Sequence, residues 1–226
     1  MKIKNLRLHT VIISLVGFIM FWTVVTDAWG HSGYLFQNNV LWGGYIYGVI
    51  SRIVWIAPAV FLIVFYRGKL PIAPRIFLRN VPRCKMFYAV IGISVVYCGI
   101  VMIVLHEGLW FNTKEPLLGI FIKILAVGIV EETVFRGWGY NALCAMLSNR
   151  KAMIVSTGLF IVLHWPAYFI RLFLYGSFDW VGILGQSGAA LVCGVICCFL
   201  FKKDKSIWSA IIPHFFYDFI FTIFVG

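Results

Sequence analysis

The chain has 226 residues, of which 62% are hydrophobic and only 12% are charged, and its mean hydropathy is +0.95. This composition excludes an ordinary water-soluble domain, because the polar side chains are too few to cover a water-exposed surface. The formal net charge is +11, but the basic residues are scattered along the chain and accompany no nucleic-acid-binding motif. We therefore expect membrane lipid around the protein and no nucleic acid as a partner.

Hydropathy along the chain predicts an all-α, polytopic transmembrane helical bundle of about seven spans. The predicted spans lie near residues 10–28, 41–66, 86–105, 117–136, 152–170, 180–201 and 206–225. The longest loop, after the second span, combines basic residues with three prolines. It divides a single membrane domain into residues 1–85, with two spans and a basic loop, and residues 86–226, a five-span core.

The distribution of lysine and arginine predicts the orientation of the bundle. Fourteen of the nineteen basic residues fall on one side, in the N-terminus and in the loops near residues 67–85, 150–151 and 202–205. Short basic loops are retained in the cytoplasm, so the N-terminus is predicted to be cytoplasmic. A multi-pass protein this compact favours a bacterial plasma membrane over a eukaryotic endomembrane.

The sixth predicted span carries small residues at every fourth position. Such a stripe indicates close packing against another helix rather than a functional site. It consists of Gly185, Ala189, Cys193 and Cys197.

Five ionisable residues lie in or beside the apolar spans, where each costs at least about 2.5 to 3.5 kcal/mol to insert. They come from three different spans and are Glu131, Glu132, His164, His214 and Asp218. Their convergence is too costly for packing alone, and a carboxylate with histidines suits the activation of a water molecule.

Spacing separates the roles of these residues. Glu132 and Arg136 are four apart, so they share a helical face and can neutralise each other. Glu131 points about 100° away and stays available for chemistry. His214 and Asp218 are also four apart and share a face.

These residues resemble the three motifs of the CAAX-protease and bacteriocin-processing (CPBP, or Abi) family, which is related to the type II CAAX prenyl endopeptidases. The resemblance covers roughly residues 115–225. Its motifs read Glu131-Glu132-x-x-x-Arg136, Phe160-x-x-x-His164 and His214-x-x-x-Asp218.

The resemblance implies an intramembrane endopeptidase in which Glu131 and His164 activate water. It implies that His214 and Asp218 stabilise the oxyanion or complete the polar site, with Glu132, Arg136 and Phe160 as structural support. Prenyl-protein endopeptidases have Asn at the position of Asp218, and an ionised carboxylate cannot donate a hydrogen bond to an oxyanion. We therefore expect Asp218 to orient His214 as an imidazolium.

The resemblance leaves two mechanisms open. A glutamate-dependent reaction without a cofactor is favoured, and the alternative is zinc held by Glu131, His164 and His214. On a straight helix Glu131 would lie about 28 Å from the cytoplasmic turn, whereas His214 lies about 13 Å from it. The fourth span is therefore expected to continue beyond the membrane or to break at Gly137 or Gly139.

The predicted partner is a peptide or protein within or at the membrane, such as a prenylated chain, a bacteriocin precursor or a signal peptide. The oligomeric state is not predicted. The main alternative is a non-catalytic membrane protein that confers bacteriocin immunity or regulates a partner, against which the intact Glu131 and His164 argue. A proton-coupled transporter fits less well, because no inverted repeat is found.

Overall fold

The structure is a computed structural model that describes residues 6–39, 43–112 and 116–225. The side chains of residues 25–48, 171, 174 and 175 lie outside this description, as do Lys2, Lys4 and Lys114, which contributed to the predicted orientation. The described residues form helices and no strand, which confirms the all-α class. The helices are α1 (Leu8–Asn39), α2 (Gly43–Phe65), α3 (Pro74–Arg79), α4 (Lys85–His106), α5 (Leu117–Glu132), α6 (Asn141–Leu143), α7 (Asn149–Leu163), α8 (Trp165–Tyr175), α9 (Trp180–Asp204) and α10 (Trp208–Phe224).

Each of the seven predicted spans coincides with a helix or a pair of consecutive helices. By length and composition, Lys85–His106, Asn149–Ile170 and Trp180–Asp204 can each cross a membrane, and shorter apolar helices are found in α1, α2 and α10. The predicted fifth span bends where α7 gives way to α8, because Pro166 in the first turn of α8 has no backbone N–H to continue the ladder. The short helix α3 was not predicted.

Of the two predicted alternatives for the fourth span, the structure shows continued helix through Gly137 and Gly139 and no break at either glycine. After α5 the span follows a π-helix over Thr133–Tyr140 and ends with α6. Its two glycines serve packing instead, since a Cβ on Gly139 would lie 2.9 Å from a methyl group of Leu15. Runs of π-helix are rare and often accompany functional sites. Here the wider turns directly follow the two glutamates.

The core brings the N-terminal helices onto the predicted catalytic half. Fully buried side chains from α1, α2, the π-helical segment, α7 and α9 form one cluster that includes Leu15, Trp55, Phe135, Phe160 and Phe201. Many large apolar side chains point outward instead, among them Val104 and Phe173, at 71% and 88% exposure. This distribution is the one expected of a bundle with lipid as its solvent.

The small-residue stripe on α9 packs against a helix at one end, where Cys197 is buried and its Sγ lies 3.6 Å from the carbonyl oxygen of Ala210 on α10. All four of its members line a cavity between α4, α9 and α10, and a Cβ added to Gly185 would meet nothing within 4 Å. The close contact of α9 with α7 is made by Gly194, where an added Cβ would lie 2.6 Å from Thr157 Cγ2. The stripe thus contributes both to helix packing and to the cavity, and spacing alone did not indicate the cavity.

Two segments far apart in sequence are joined by hydrogen bonds at the predicted cytoplasmic end. The backbone N–H of Ile207 donates to Phe77 O at 3.0 Å, and Ser206 Oγ donates to Asn80 O at 2.6 Å. The carboxylate of Asp204 accepts from the backbone N–H of Arg83 at 3.1 Å. Because α10 begins directly after this junction, these bonds fix the position of the helix that carries His214 and Asp218.

Replacing Asp204 with alanine is expected to lower the free energy of unfolding by about 2 kcal/mol, because Asp204 Oδ2 also accepts from Ser209 Oγ at 2.7 Å. Thermal unfolding in detergent micelles, followed by tryptophan fluorescence, measures the loss. Lys203→Ala is the matched control, since Lys203 is exposed one residue away. Equal melting temperatures for the two variants would show that the junction contributes no stability.

Candidate functional site

The imidazole of His214 is the centre of a buried polar cluster. Its Nδ1 lies 2.7 Å from Glu132 Oε1, and its Nε2 lies 3.3 Å from Asp218 Oδ2 and 3.9 Å from Glu131 Oε2. Ionised carboxylates can only accept hydrogen bonds, so with Glu132 and Asp218 ionised His214 donates from both ring nitrogens as an imidazolium. The structure thus joins four predicted site residues from two helices.

A close approach of α5 and α10 creates this cluster. A Cβ on Gly128 would lie 3.4 Å from Phe215 Cβ and 3.5 Å from the carbonyl oxygen of Ile211. Gly128 is three and four residues before the two glutamates, so it lies on the same side of α5. A Cβ there would make only ordinary contacts, whereas a larger side chain would meet α10 close to His214.

Glu132 forms the predicted ion pair with Arg136, and it also contacts His214, which the sequence did not indicate. Its Oε1 lies 2.9 Å from Arg136 Nη1, and both side chains are fully buried. The guanidinium carbon of Arg136 lies 4.4 Å from the ring centre of Phe160, which places the charge over an aromatic face. Because the same Oε1 contacts His214, Glu132 links the structural pair to the polar cluster.

Glu131 is held less tightly than its neighbour. Its side chain keeps 12% of its surface exposed, and its contact with His214 is the longest of the three carboxylate contacts. Asp218 is more open still, at 31% exposure. Of the two glutamates, Glu131 is therefore the one that a water molecule and a substrate can reach.

His164 lies apart from this cluster. It is half-buried at the junction of α7 and α8, and its Nδ1 donates to the carbonyl oxygen of Phe160 at 2.9 Å, since a carbonyl can only accept. The ring of Phe160 lies 5.0 Å from the His164 ring and 6.0 Å from the His214 ring. The two histidines therefore share Phe160 as a neighbouring ring, and the structure shows no hydrogen bond between His164 and Glu131 among its described side chains.

Two cavities reach the site from different sides. An apolar cavity of about 450 Å³ lies between α4, α9 and α10, and His214 and Cys193 are among its lining residues. A second cavity of about 400 Å³ lies beside His164 and is also lined by Tyr168 and Gln186. Sequence reasoning missed both, although the small residues of α9 were a usable signal, because small side chains also leave empty space.

The predicted zinc ligands do not form one site. Within the described part of the chain, the atoms near enough to share an ion belong to Glu132, Cys193 and His214 and lie within 4.8 Å of one another. Glu131 and His164 are not in this group. An ion bound through His214 Nδ1 would displace the contact of 2.7 Å between this nitrogen and Glu132 Oε1. The predicted ligands Glu131, His164 and His214 are therefore not grouped around one position that a zinc ion could occupy.

Comparison with known families gives one match. Residues 113–220 match the family described as Type II CAAX prenyl endopeptidase Rce1-like, and this range includes all three motifs. Over these residues the chain is similar to the Rce1-like family. No curated protein and no solved structure gives a significant match.

The match to the Rce1-like family over residues 113–220 confirms the resemblance seen in the motifs. The family indicates a membrane-embedded protease that acts on a peptide or protein. The match includes α5, the π-helical segment and most of α10, which carry the polar cluster, and it includes α9, which lines the apolar cavity. Helices α1 to α4 lie outside it, yet α1 and α2 pack against the matched half.

Proposed function

We propose that the protein is an intramembrane endopeptidase that hydrolyses a peptide bond of a membrane-associated peptide or protein, in a bacterial plasma membrane. The observation that carries the proposal is the position of His214, between carboxylates and at the wall of an apolar cavity. A cluster this polar is costly inside a membrane unless it acts on something. The family match independently supports a protease.

The cluster supports a mechanism in which Glu131 is the general base. Glu131 takes a proton from water as the water oxygen attacks the carbonyl carbon of the scissile bond. The imidazolium of His214 stays held through Nδ1 by Glu132 and turns its Nε2–H from Asp218 to the oxyanion that forms. When the intermediate collapses, Glu131 returns the proton to the leaving nitrogen, so that one amine and one carboxylic acid are produced. No metal ion takes part in this scheme.

His164 completes the proposed site from the other side of Phe160. Its Nδ1 is occupied by the Phe160 carbonyl, so its Nε2 is the nitrogen that can accept a hydrogen bond. We assign it to water or to the polar backbone of the substrate, in the second cavity. Because no direct hydrogen bond joins His164 to Glu131 among the described side chains, this role requires a substrate or water that links the two.

The apolar cavity is the proposed entrance for the membrane-embedded part of the substrate. Prenylated proteins, bacteriocin precursors and signal peptides all combine an apolar portion with a cleavable peptide bond. The cavity wall comes from residues of α4 and α9 that carry mostly apolar or small side chains. An apolar chain in the cavity would therefore end beside His214.

Filling this cavity is expected to abolish cleavage without unfolding the protein. Gly188 lines the cavity and a Cβ there meets nothing within 4 Å, so Gly188→Leu fits sterically but occupies the substrate path. Gly158→Leu is the matched control, because Gly158 on α7 is equally open and lines neither cavity. Cleavage by Gly188→Leu at the rate of Gly158→Leu would show that substrates enter elsewhere.

The test of the proposed function compares peptide fragments in membranes of cells that express wild type, Glu131→Ala or His164→Ala at matched levels. Fragments that are present only with wild type would support proteolysis and would identify the substrates. Indistinguishable fragment sets would contradict the proposal and would favour a non-catalytic partner of a membrane protein.

A further inference from the structure

The cavity beside His164 contains a carboxylate that the proposed mechanism does not use. Asp179 lines this cavity together with His164, Ala167, Tyr168 and Gln186. These residues come from α8, from the start of α9 and from the junctions that precede both helices. The cavity thus combines an imidazole edge, a phenol, an amide and a carboxylate.

The Asp179 carboxylate is held in place by its own helix. Its Oδ1 accepts from the backbone N–H of Gly182 at 2.7 Å, as expected of the residue that caps α9. Its Oδ2 lies directly against Gly182, where an added Cβ would clash with it. The same Cβ position is 3.0 Å from the ring of Tyr168. A glycine at 182 is therefore needed for the carboxylate to lie where it does.

No described lysine or arginine side chain pairs with Asp179, although the chain carries nineteen basic residues. Helix capping satisfies one of its oxygens and leaves its charge without a counter-ion in this part of the structure. A negatively charged cavity wall attracts a cation and repels a second carboxylate. The cavity thus has the charge that would select among substrates.

We propose that this cavity binds a positively charged residue of the substrate and that Asp179 is the specificity-determining group. This inference rests on the proposed function. The apolar part of the substrate then lies on the His214 side of Phe160 and a lysine or arginine lies on the His164 side. A free peptide carboxylate is disfavoured in the same place. The preferred substrates are peptides with a basic residue close to the cleaved bond.

The experiment starts from the cleavage sites that disappear in Glu131→Ala membranes. A synthetic peptide that spans one such site is prepared with lysine, glutamine or glutamate at the basic position. Purified wild type, Asp179→Asn and Gly182→Ala are then compared in liposomes. Asparagine caps a helix as well as aspartate does, so Asp179→Asn removes the charge and keeps the cap.

Wild type is expected to cleave the lysine peptide about two- to fivefold faster than the glutamine peptide, which is the effect of one exposed ion pair. The preference should vanish in Asp179→Asn and weaken in Gly182→Ala. It should also decrease in wild type as the salt concentration rises, since the Debye length falls from about 10 Å at 0.1 M to about 3 Å at 1 M. A purely structural role of Asp179 would produce no such salt dependence.

Two results would overturn this inference, and they have different meanings. Equal lysine preference in wild type and Asp179→Asn, or sites without nearby basic residues, would refute the cation site and leave the protease proposal intact. The absence of any Glu131-dependent cleavage site would refute the proposed function, and the cation site with it.

Discussion

Replacement of Glu131 with glutamine is expected to lower the rate of peptide cleavage by about 10²- to 10⁴-fold, the usual contribution of a general base. Glutamine has nearly the same shape, and Glu131 makes only the 3.9 Å contact with His214, so the fold should be preserved. The measurement is the cleavage rate of a membrane peptide by purified protein in liposomes. A zinc chelator is expected to leave the wild-type rate unchanged.

Glu107→Gln provides the control for this substitution, because Glu107 is exposed at the end of α4 and outside both cavities. It should cleave at the wild-type rate. Undiminished cleavage by Glu131→Gln would remove Glu131 from the mechanism. Loss of wild-type activity with the chelator, restored by added zinc, would instead favour the metal alternative.

Replacement of Glu132 with leucine is expected to destabilise the protein by about 3 to 5 kcal/mol, because it leaves the buried guanidinium of Arg136 without its counter-ion. The double variant Glu132→Leu, Arg136→Met removes both charges together. Replacing a buried ion pair with apolar groups of similar size is often neutral, so the double variant should recover most of the lost stability.

The double variant separates stability from activity. It lacks the contact of 2.7 Å between Glu132 and His214 Nδ1, so its cleavage should stay low even where its melting temperature recovers. Both quantities can be measured on the same purified samples, with tryptophan fluorescence reporting unfolding. Full recovery of cleavage in the double variant would contradict a role for Glu132 in orienting His214. A single variant as stable as wild type would contradict the importance of the ion pair.

The fold class and the members of the cluster could be predicted because their signals are local. Backbone N–H and C=O groups in lipid must form hydrogen bonds within their own helix, so apolar runs of sufficient length indicate helices directly. Charged residues within such runs are rare, which made Glu131, Glu132, His214 and Asp218 conspicuous. The spacing of four between Glu132 and Arg136 then gave the ion pair that the structure contains.

The remaining features depend on contacts between helices, which spacing does not encode. A run of π-helix is a response to packing, so residue types could not decide between a continued fourth span and a break at Gly137 or Gly139. The same small residues on α9 are compatible with a tight helix contact and with a cavity. The distance of His164 from Glu131 depends on where Phe160 packs, and that position is set by Arg136 and by α10 together.

The most direct test of the central claim is hydrolysis itself. Purified wild type in liposomes is incubated with membrane peptides in water enriched in heavy oxygen, and the products are analysed by mass spectrometry. The account predicts new C-terminal carboxyl groups that carry heavy oxygen in the wild-type sample and that are missing from the Glu131→Gln sample. Peptides that remain intact in both samples, under conditions where the wild type is folded, would contradict it.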